Sequence, residues 1–309
     1  LLATLRAKAD RSRAERTRLA RDEALDEQLI ALARRRDPVT GAPLPVQLFE
    51  FDPAAYGGDG VAVVSVGDLD TADNVGVIVP GMGTTVSSIA TLGPSAARLY
   101  SAARTSAPAE TDATVVWIGY DAPSGPRALA QVVTSERARR GGDELRADLR
   151  DIAAMRGARD PHLVVFAHSY GSTTMGYAGA GGALAPVVDS VVLLGSPGAG
   201  PVRTAGEFGA RDGVYVAATH DDPITWLGGY PVGLGADPAA ATFGAIRLAA
   251  ESTAPLGTTH SRYFDEGSEA LANFARVLTG EPGAVTVPGR ATVDLPGPID
   301  VRREPVGGR

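Results

Sequence analysis

The 309-residue chain contains no cysteine, and Lys8 is its only lysine. The first absence excludes disulfide scaffolds, thiolate metal sites and a cysteine nucleophile. It also leaves the compartment open between cytoplasmic and secreted, because a chain without thiols tolerates either redox state. No stretch is apolar enough to cross a bilayer, so no transmembrane segment is expected. A net charge of −7 argues against nucleic acid as a partner. Histidine is scarce, with four in the whole chain, and that scarcity makes each one informative. The consecutive His220-Asp221-Asp222 is a weak metal cluster, since neighbours on an extended segment point to opposite faces. No metal and no cofactor is therefore expected. The chain starts at Leu1 in place of methionine, which fits the loss of an upstream signal peptide or a whole preceding domain.

What is present is a regular alternation. Residues 1–36 read as one charged helix in which Leu25, Leu29 and Leu32 form a narrow apolar stripe among interleaved acids and arginines. Asp37-Pro38 and Pro43 to Pro45 end it. Strands are expected at Val46–Phe51 and Val61–Val66, then at Val75–Val79, Val115–Ile118, Leu163–Ala167, Val191–Leu194 and Val214–Ala217. Helical patterns lie between them, near 86–103, 127–140, 143–156 and from Thr173 onward, with a last helix near Glu266–Leu278. Short continuous Val/Ile/Leu runs separated by helices are the mark of a mostly parallel central sheet covered on both faces. The expected organisation is a charged N-terminal helix over 1–37, an α/β domain over 38–282 and an irregular Pro/Gly-rich tail over 283–309. The helix is a candidate surface for a partner domain or protein.

One of these strands runs straight into Ala167-His168-Ser169-Tyr170-Gly171, with a helical pattern after it. A serine at a sharp strand-to-helix turn, flanked two residues away by small side chains, is how a nucleophilic hydroxyl is held clear of a sheet. Bulk at either flank would collide across the turn. A serine hydroxyl needs a base within hydrogen-bond reach, and His162, His168, His220 and His260 are the choices. His162 begins a strand at the wrong end, and His168 should leave the turn in another direction. A second glycine-rich strand-to-helix loop, Pro80-Gly81-Met82-Gly83-Thr84, lets backbone approach a substrate closely. It lacks the lysine of a phosphate-binding loop and one glycine of a dinucleotide fingerprint.

Together, Pro80-Gly81-Met82-Gly83, Ala167-His168-Ser169-Tyr170-Gly171, Asp222-Pro223 and His260 resemble the α/β-hydrolase superfamily. The likeness extends to an actinobacterial serine-hydrolase branch in which the hydrolase domain follows a helical N-terminal region. Trp117-Ile118-Gly119-Tyr120-Asp121-Ala122-Pro123 and Leu194-Gly195-Ser196-Pro197-Gly198 share in it. The flank at Ala167 is glycine in the usual pattern. The resemblance covers about residues 46–280 and implies an α/β-hydrolase fold with little or no lid. It implies a triad in the order Ser169, Asp222, His260, with Asp221 as the second candidate for the acid, and an oxyanion hole from the Met82 and Tyr170 amides. Gly81, Gly83, His168 and Trp226 would border the substrate. The nearly uncharged segment from Trp226 to Thr258, with Leu227, Tyr230, Val232, Leu234, Phe243, Ile246 and Leu248, reads equally as an apolar roof or as the last crossover. A roof would favour an acyl or lipid ester, cleaved through an acyl-enzyme. An amidase or peptidase would use the same residues, and a catalytically silent interaction module on this fold is the third reading.

Overall fold

The computed structural model describes residues 12–155, 160–227, 234–251, 255 and 258–288. Among these residues eight strands form one sheet: β1 (Val46–Asp52), β2 (Val61–Val66), β3 (Asn74–Val79), β4 (Asp112–Ile118), β5 (His162–His168), β6 (Ser190–Leu194), β7 (Gly213–Ala217) and β8 (Ile246–Leu248). Their spatial order is β1-β2-β4-β3-β5-β6-β7-β8. The β1–β2 and β2–β4 pairs are antiparallel and every later pair is parallel. Among the described residues six α-helices accompany them: α1 (Arg13–Ala33), α2 (Ile89–Ser106), α3 (Ala128–Val133), α4 (Glu136–Met155), α5 (Tyr170–Gly179) and α6 (Glu269–Leu278).

The two-residue period of each strand divides its side chains between two cores. Val75, Val77, Val79, Leu163, Val165, Val191 and Leu193 face one, with Leu145 and Leu149 of α4 and Met175 of α5. Ile78, Val164, Phe166, Val192 and Leu194 face the other, with Ala96 and Leu99 of α2 and Phe274 of α6. Because both faces are covered, the inner strands need apolar residues at every position, and this is why they appear in sequence as unbroken runs. Each such buried side chain contributes about 1.5–3 kcal/mol relative to exposure.

Helix α1 joins the second core through Leu25 and Leu32. A Cβ added at Gly93 of α2 would stand 2.8 Å from Leu32 Cδ1, so the small residue on α2 admits the apolar stripe of α1. Just after α1, buried Asp37 accepts from Tyr100 Oη at 2.6 Å and pairs with Arg104 at 3.2 Å. Residues 1–11 of the charged helix and 289–309 of the expected tail lie outside the described residues.

Two expectations change. The helices placed at 127–140 and 143–156 divide instead between Val133 and Glu136, where Ser135 has φ +51°. Gly141-Gly142, which reads as a break, lies inside α4. A Cβ at Gly141 would come within 2.6 Å of the Tyr120 ring, and one at Gly142 within 2.6 Å of Tyr177 Cβ. These glycines serve close approach and not a turn. The segment after Trp226 is no roof across its described part. Phe243 is buried against Phe208, Leu234 is in the core, and Ile246–Leu248 forms the edge strand β8. Leu227 is exposed, while Tyr230 and Val232 lie outside the described residues.

Candidate active site

Strand β5 ends at His168 and α5 begins at Tyr170, so Ser169 alone makes the turn. Its backbone sits at φ +55°, ψ −129°, a conformation a non-glycine residue adopts only under constraint. The constraint is visible on both sides. The Ser169 amide donates to Leu194 O at 2.9 Å, extending the ladder towards β6. A Cβ at Gly171 would lie 2.4 Å from Val79 O, so only glycine lets the first turn of α5 pass over the end of β3.

His260 comes from a single 3₁₀ turn, Thr259–Ser261, between β8 and α6. Its Nε2 lies 2.9 Å from Ser169 Oγ, and its Nδ1 lies 2.9 Å and 3.0 Å from the two carboxylate oxygens of Asp222. A carboxylate only accepts, so Nδ1 carries the proton and Nε2 is left to accept from the serine. Thr259 Oγ1 donates to Asp221 O at 2.8 Å and ties this turn to the loop after β7. Of the two aspartates, Asp222 is the one whose side chain reaches the histidine.

Asp222 is fully buried. Burial alone would raise its carboxyl. The hydrogen bonds from His260, Tyr263 and the Ile224 amide, with the charge of His260, more than offset this and hold it below the usual carboxylate range. Tyr263 Oη donates to Asp222 Oδ2 at 2.8 Å and accepts from the Thr219 amide at 3.3 Å. Nothing in the sequence marks Tyr263, which is simply three residues beyond His260. Gly195, marked in the sequence only as part of Leu194-Gly195-Ser196-Pro197-Gly198, is a second residue whose role the structure brings out. It follows β6 at φ +56°, and a Cβ there would stand 2.9 Å from Asp222 Oδ2 and 3.0 Å from His260 Nδ1.

His168 packs beneath the base, its ring centroid 4.6 Å from that of His260. Its Nε2 donates to His260 O at 2.7 Å, so it holds the backbone of the histidine turn. Burial and the neighbouring His260 push it down to about 4, and it is neutral at physiological pH. The other two histidines stand apart. His162 Nδ1 meets Leu278 O at 2.9 Å and its Nε2 approaches Asp212 at 3.3 Å, at the opposite end of β5. The His220 amide approaches Glu251 Oε2 at 3.4 Å.

The loop after β3 presses on the serine turn. A Cβ at Gly81 would lie 2.6 Å from Ser169 Cβ and 3.0 Å from the Tyr170 nitrogen. The loop is held by the segment after β4: Tyr120 Oη donates to Pro80 O at 2.8 Å and the Gly83 amide donates to Pro123 O at 2.8 Å. Thr84 Oγ1 closes it on Gly81 O at 2.8 Å. The amides of Met82 and Tyr170 donate to no protein acceptor among the described residues. That leaves two free N–H groups beside the serine, one of them at a helix N-terminus. The Tyr170 side chain is turned inward, its Oη accepting from the Ala138 amide at 3.2 Å.

A cleft of about 580 Å³ opens over these groups, bordered by Gly81, Met82, Gly83, His168, Ser169 and His260. Trp226 is not among its lining residues. It is exposed, and its indole donates to His220 O at 3.3 Å. Among the described residues no group of three or more His, Asp or Glu side chains could hold a metal ion. No described helix is long and apolar enough to cross a membrane.

A strand–serine–helix turn at the edge of a mostly parallel sheet, facing a histidine and a buried carboxylate, defines the class of fold. A sequence model of the alpha/beta hydrolase family matches residues 52–230, and the chain belongs to that family. An uncharacterised protein of Mycobacterium tuberculosis is 34% identical over 300 residues, covering 85% of this chain. The chain spans only 44% of that relative's length. An uncharacterised protein of Mycobacterium bovis is 34% identical over 204 residues, covering 63% of this chain and 74% of its own length. These relatives place the chain in an actinobacterial branch. Among solved structures, the carboxylesterase EstE1 from a metagenomic library aligns with a TM-score of 0.47 at 14% identity, over 85% of this chain and 97% of that one. A cutinase of Trichoderma reesei aligns with a TM-score of 0.44 at 14% identity, over 85% and 88%.

Proposed function

We propose that the protein is a serine hydrolase that cleaves carboxylic esters through an acyl-enzyme. The observation that carries the reading is the unbroken chain Ser169 Oγ, His260, Asp222, with contacts of 2.9 Å at the serine and 2.9 Å at the carboxylate. Ser169 Oγ attacks the ester carbonyl while its proton passes to His260 Nε2. The C–O bond of the ester breaks from the tetrahedral intermediate, and the same proton goes to the departing alkoxide. Water then repeats the sequence on the acyl-enzyme and releases the acid. Asp222 stays ionised and balances the imidazolium that forms in each half. The Met82 and Tyr170 amides receive the oxyanion. The short bridge from His168 to the carbonyl of His260 keeps the base in register with the serine.

A fluorophosphonate probe tests this directly. The wild-type protein labels and Ser169→Ala does not, with both folded by circular dichroism. A folded wild-type protein that does not label overturns the proposal and favours an interaction module. An ester series of p-nitrophenyl substrates, run beside the matching anilides, separates esterase from amidase.

A further inference from the structure

The cleft does not stop at the serine. It runs along α2 and the turn before it, where Ser88, Thr91, Ser95 and Arg98 all border it. Their spacing of three, four and three residues puts them on one helical stripe. At 1.5 Å per residue, the ten residues from Ser88 to Arg98 correspond to about 15 Å along the helix. Arg98 is therefore displaced along the cleft from the Gly81 loop that touches Ser169.

Three observations single out this arginine. Among the described residues it is the one permanently charged side chain bordering the cleft, and no Asp or Glu borders it. It is half-buried, and it makes no hydrogen bond or ion pair with any described residue. It also borders a second hollow of about 510 Å³, between the end of α1, α2 and α6. Arg35 and Arg276 add positive charge there and Glu266 is the single acid among the described residues that line it. A guanidinium held partly out of water with no counter-ion among the described residues is suited to one that arrives with the ligand. Its planar fork accepts the paired oxygens of a carboxylate or phosphate.

We propose that Arg98 is a specificity-determining residue that selects esters carrying an anionic group, carboxylate or phosphate, remote from the scissile bond. This rests on the serine-hydrolase reading of the same cleft and narrows its substrate class from neutral acyl esters to acidic ones. The hydroxyl stripe of α2 lines the path between the two ends, and the second hollow gives the anionic end room beyond Arg98.

Two measurements test it. The first compares p-nitrophenyl octanoate with the mono-p-nitrophenyl ester of suberate, which has the same chain length and ends in a carboxylate. A twelve-carbon pair is run beside it. The ratio of kcat/KM, anionic over neutral, falls at least about tenfold in Arg98→Gln and further in Arg98→Glu, and Arg98→Lys recovers part of it. Ratios within about twofold of wild type in both the Gln and Glu variants overturn the proposal. The second needs no turnover. Octyl phosphate is titrated calorimetrically into Ser169→Ala and into the same protein carrying Arg98→Gln. Affinity drops at least about tenfold if Arg98 holds the anion, and equal affinities overturn the proposal. A wild-type protein that binds octyl phosphate through Arg98 but resists the fluorophosphonate refutes the hydrolase reading alone.

Discussion

Replacing Tyr263 by phenylalanine removes one oxygen and leaves the ring in place, still packed 6.1 Å from His168. Two hydrogen bonds go with it: the 2.8 Å donation to Asp222 Oδ2 and the 3.3 Å acceptance from the buried Thr219 amide. A hydrogen bond to a charged group contributes about 1.5–3 kcal/mol. Asp222 keeps His260 and the Ile224 amide as donors, which favours the lower half of that range, while the stranded Thr219 amide adds to the cost. Tyr263→Phe is thus expected to lose about 2–3 kcal/mol of stability at pH 7 in a urea titration. The pH dependence has a definite sign. Asp222 is held below the ordinary carboxylate value of about 4, so its contribution is complete above that value and lost as pH falls below it. Without the tyrosine the folded-state carboxyl moves up, and acid unfolding begins at a higher pH than in wild type. Catalysis should suffer through the same atom. A carboxylate less well held balances the imidazolium less well, and a loss of about 1.4 kcal/mol in the transition state lowers kcat about tenfold with KM nearly unchanged. A variant with wild-type kcat, wild-type urea midpoint and an unmoved acid transition refutes the role given to Tyr263.

Two other substitutions probe the frame, one beside the site and one at the opposite end of the sheet. Gly195→Ala forces a side chain into φ +56° and puts its Cβ 2.9 Å from Asp222 Oδ2. It is expected to cost about 1–2 kcal/mol of stability, with a fall in kcat that exceeds any change in KM, and an unchanged kcat refutes it. Asp112, buried at the start of β4, accepts from Asn74 at 3.0 Å with Oδ1, and its Oδ2 has no hydrogen-bond partner among the described residues. Burial raises it to about 6. Its folded value lies above the unfolded one near 4, so the native state binds more protons between the two and stability falls as pH rises through that window. Asp112→Asn should therefore gain about 2 kcal/mol at pH 7 and nothing at pH 4, read as urea midpoints, and an equal effect at both pH values refutes the cause.

The inner strands were legible because both faces of each are buried, so composition alone reveals them. The turn at Ser169 was legible for a related reason: its requirements are met by residues within two positions of the serine. Tyr263 was not, since it has no local signature, and Gly195 stood out only within the run Leu194-Gly195-Ser196-Pro197-Gly198, which gave it no role. Tyr263 matters because a turn from beyond β8 lands on the loop after β7, and Gly195 because a side chain there would occupy the space of two others. Gly141-Gly142 misled for the opposite reason. The pair has the local chemistry of a break, but its partners Tyr120 and Tyr177 make it a close-packing site. The apolar residues after Trp226 were ambiguous in the same way. Phe243 and Leu248 are used to close the edge of the sheet, a role that depends on β7 already being there to pair with β8.

The meeting of distant residues follows from strand order. Consecutive strands β3 and β4 are neighbours, but β5 lies on the other side of β3. The chain therefore leaves the end of β3 in one direction and the end of β5 in the other, and a crevice opens between two loops that diverge. The loop of Gly81 and the turn of Ser169 are those two loops, and the close approach at Gly81, where a Cβ would lie 2.6 Å from Ser169 Cβ, is the floor of the crevice. Moving outward, β6 ends just before Gly195 and β7 leads towards Asp222, so the acid is two strands from the serine and a glycine follows the strand end between them. The imidazole of His260 bridges that gap, spanning from Asp222 over Gly195 to Ser169. The width of one strand, left clear by the absence of one side chain, is what sets the reach required of the base.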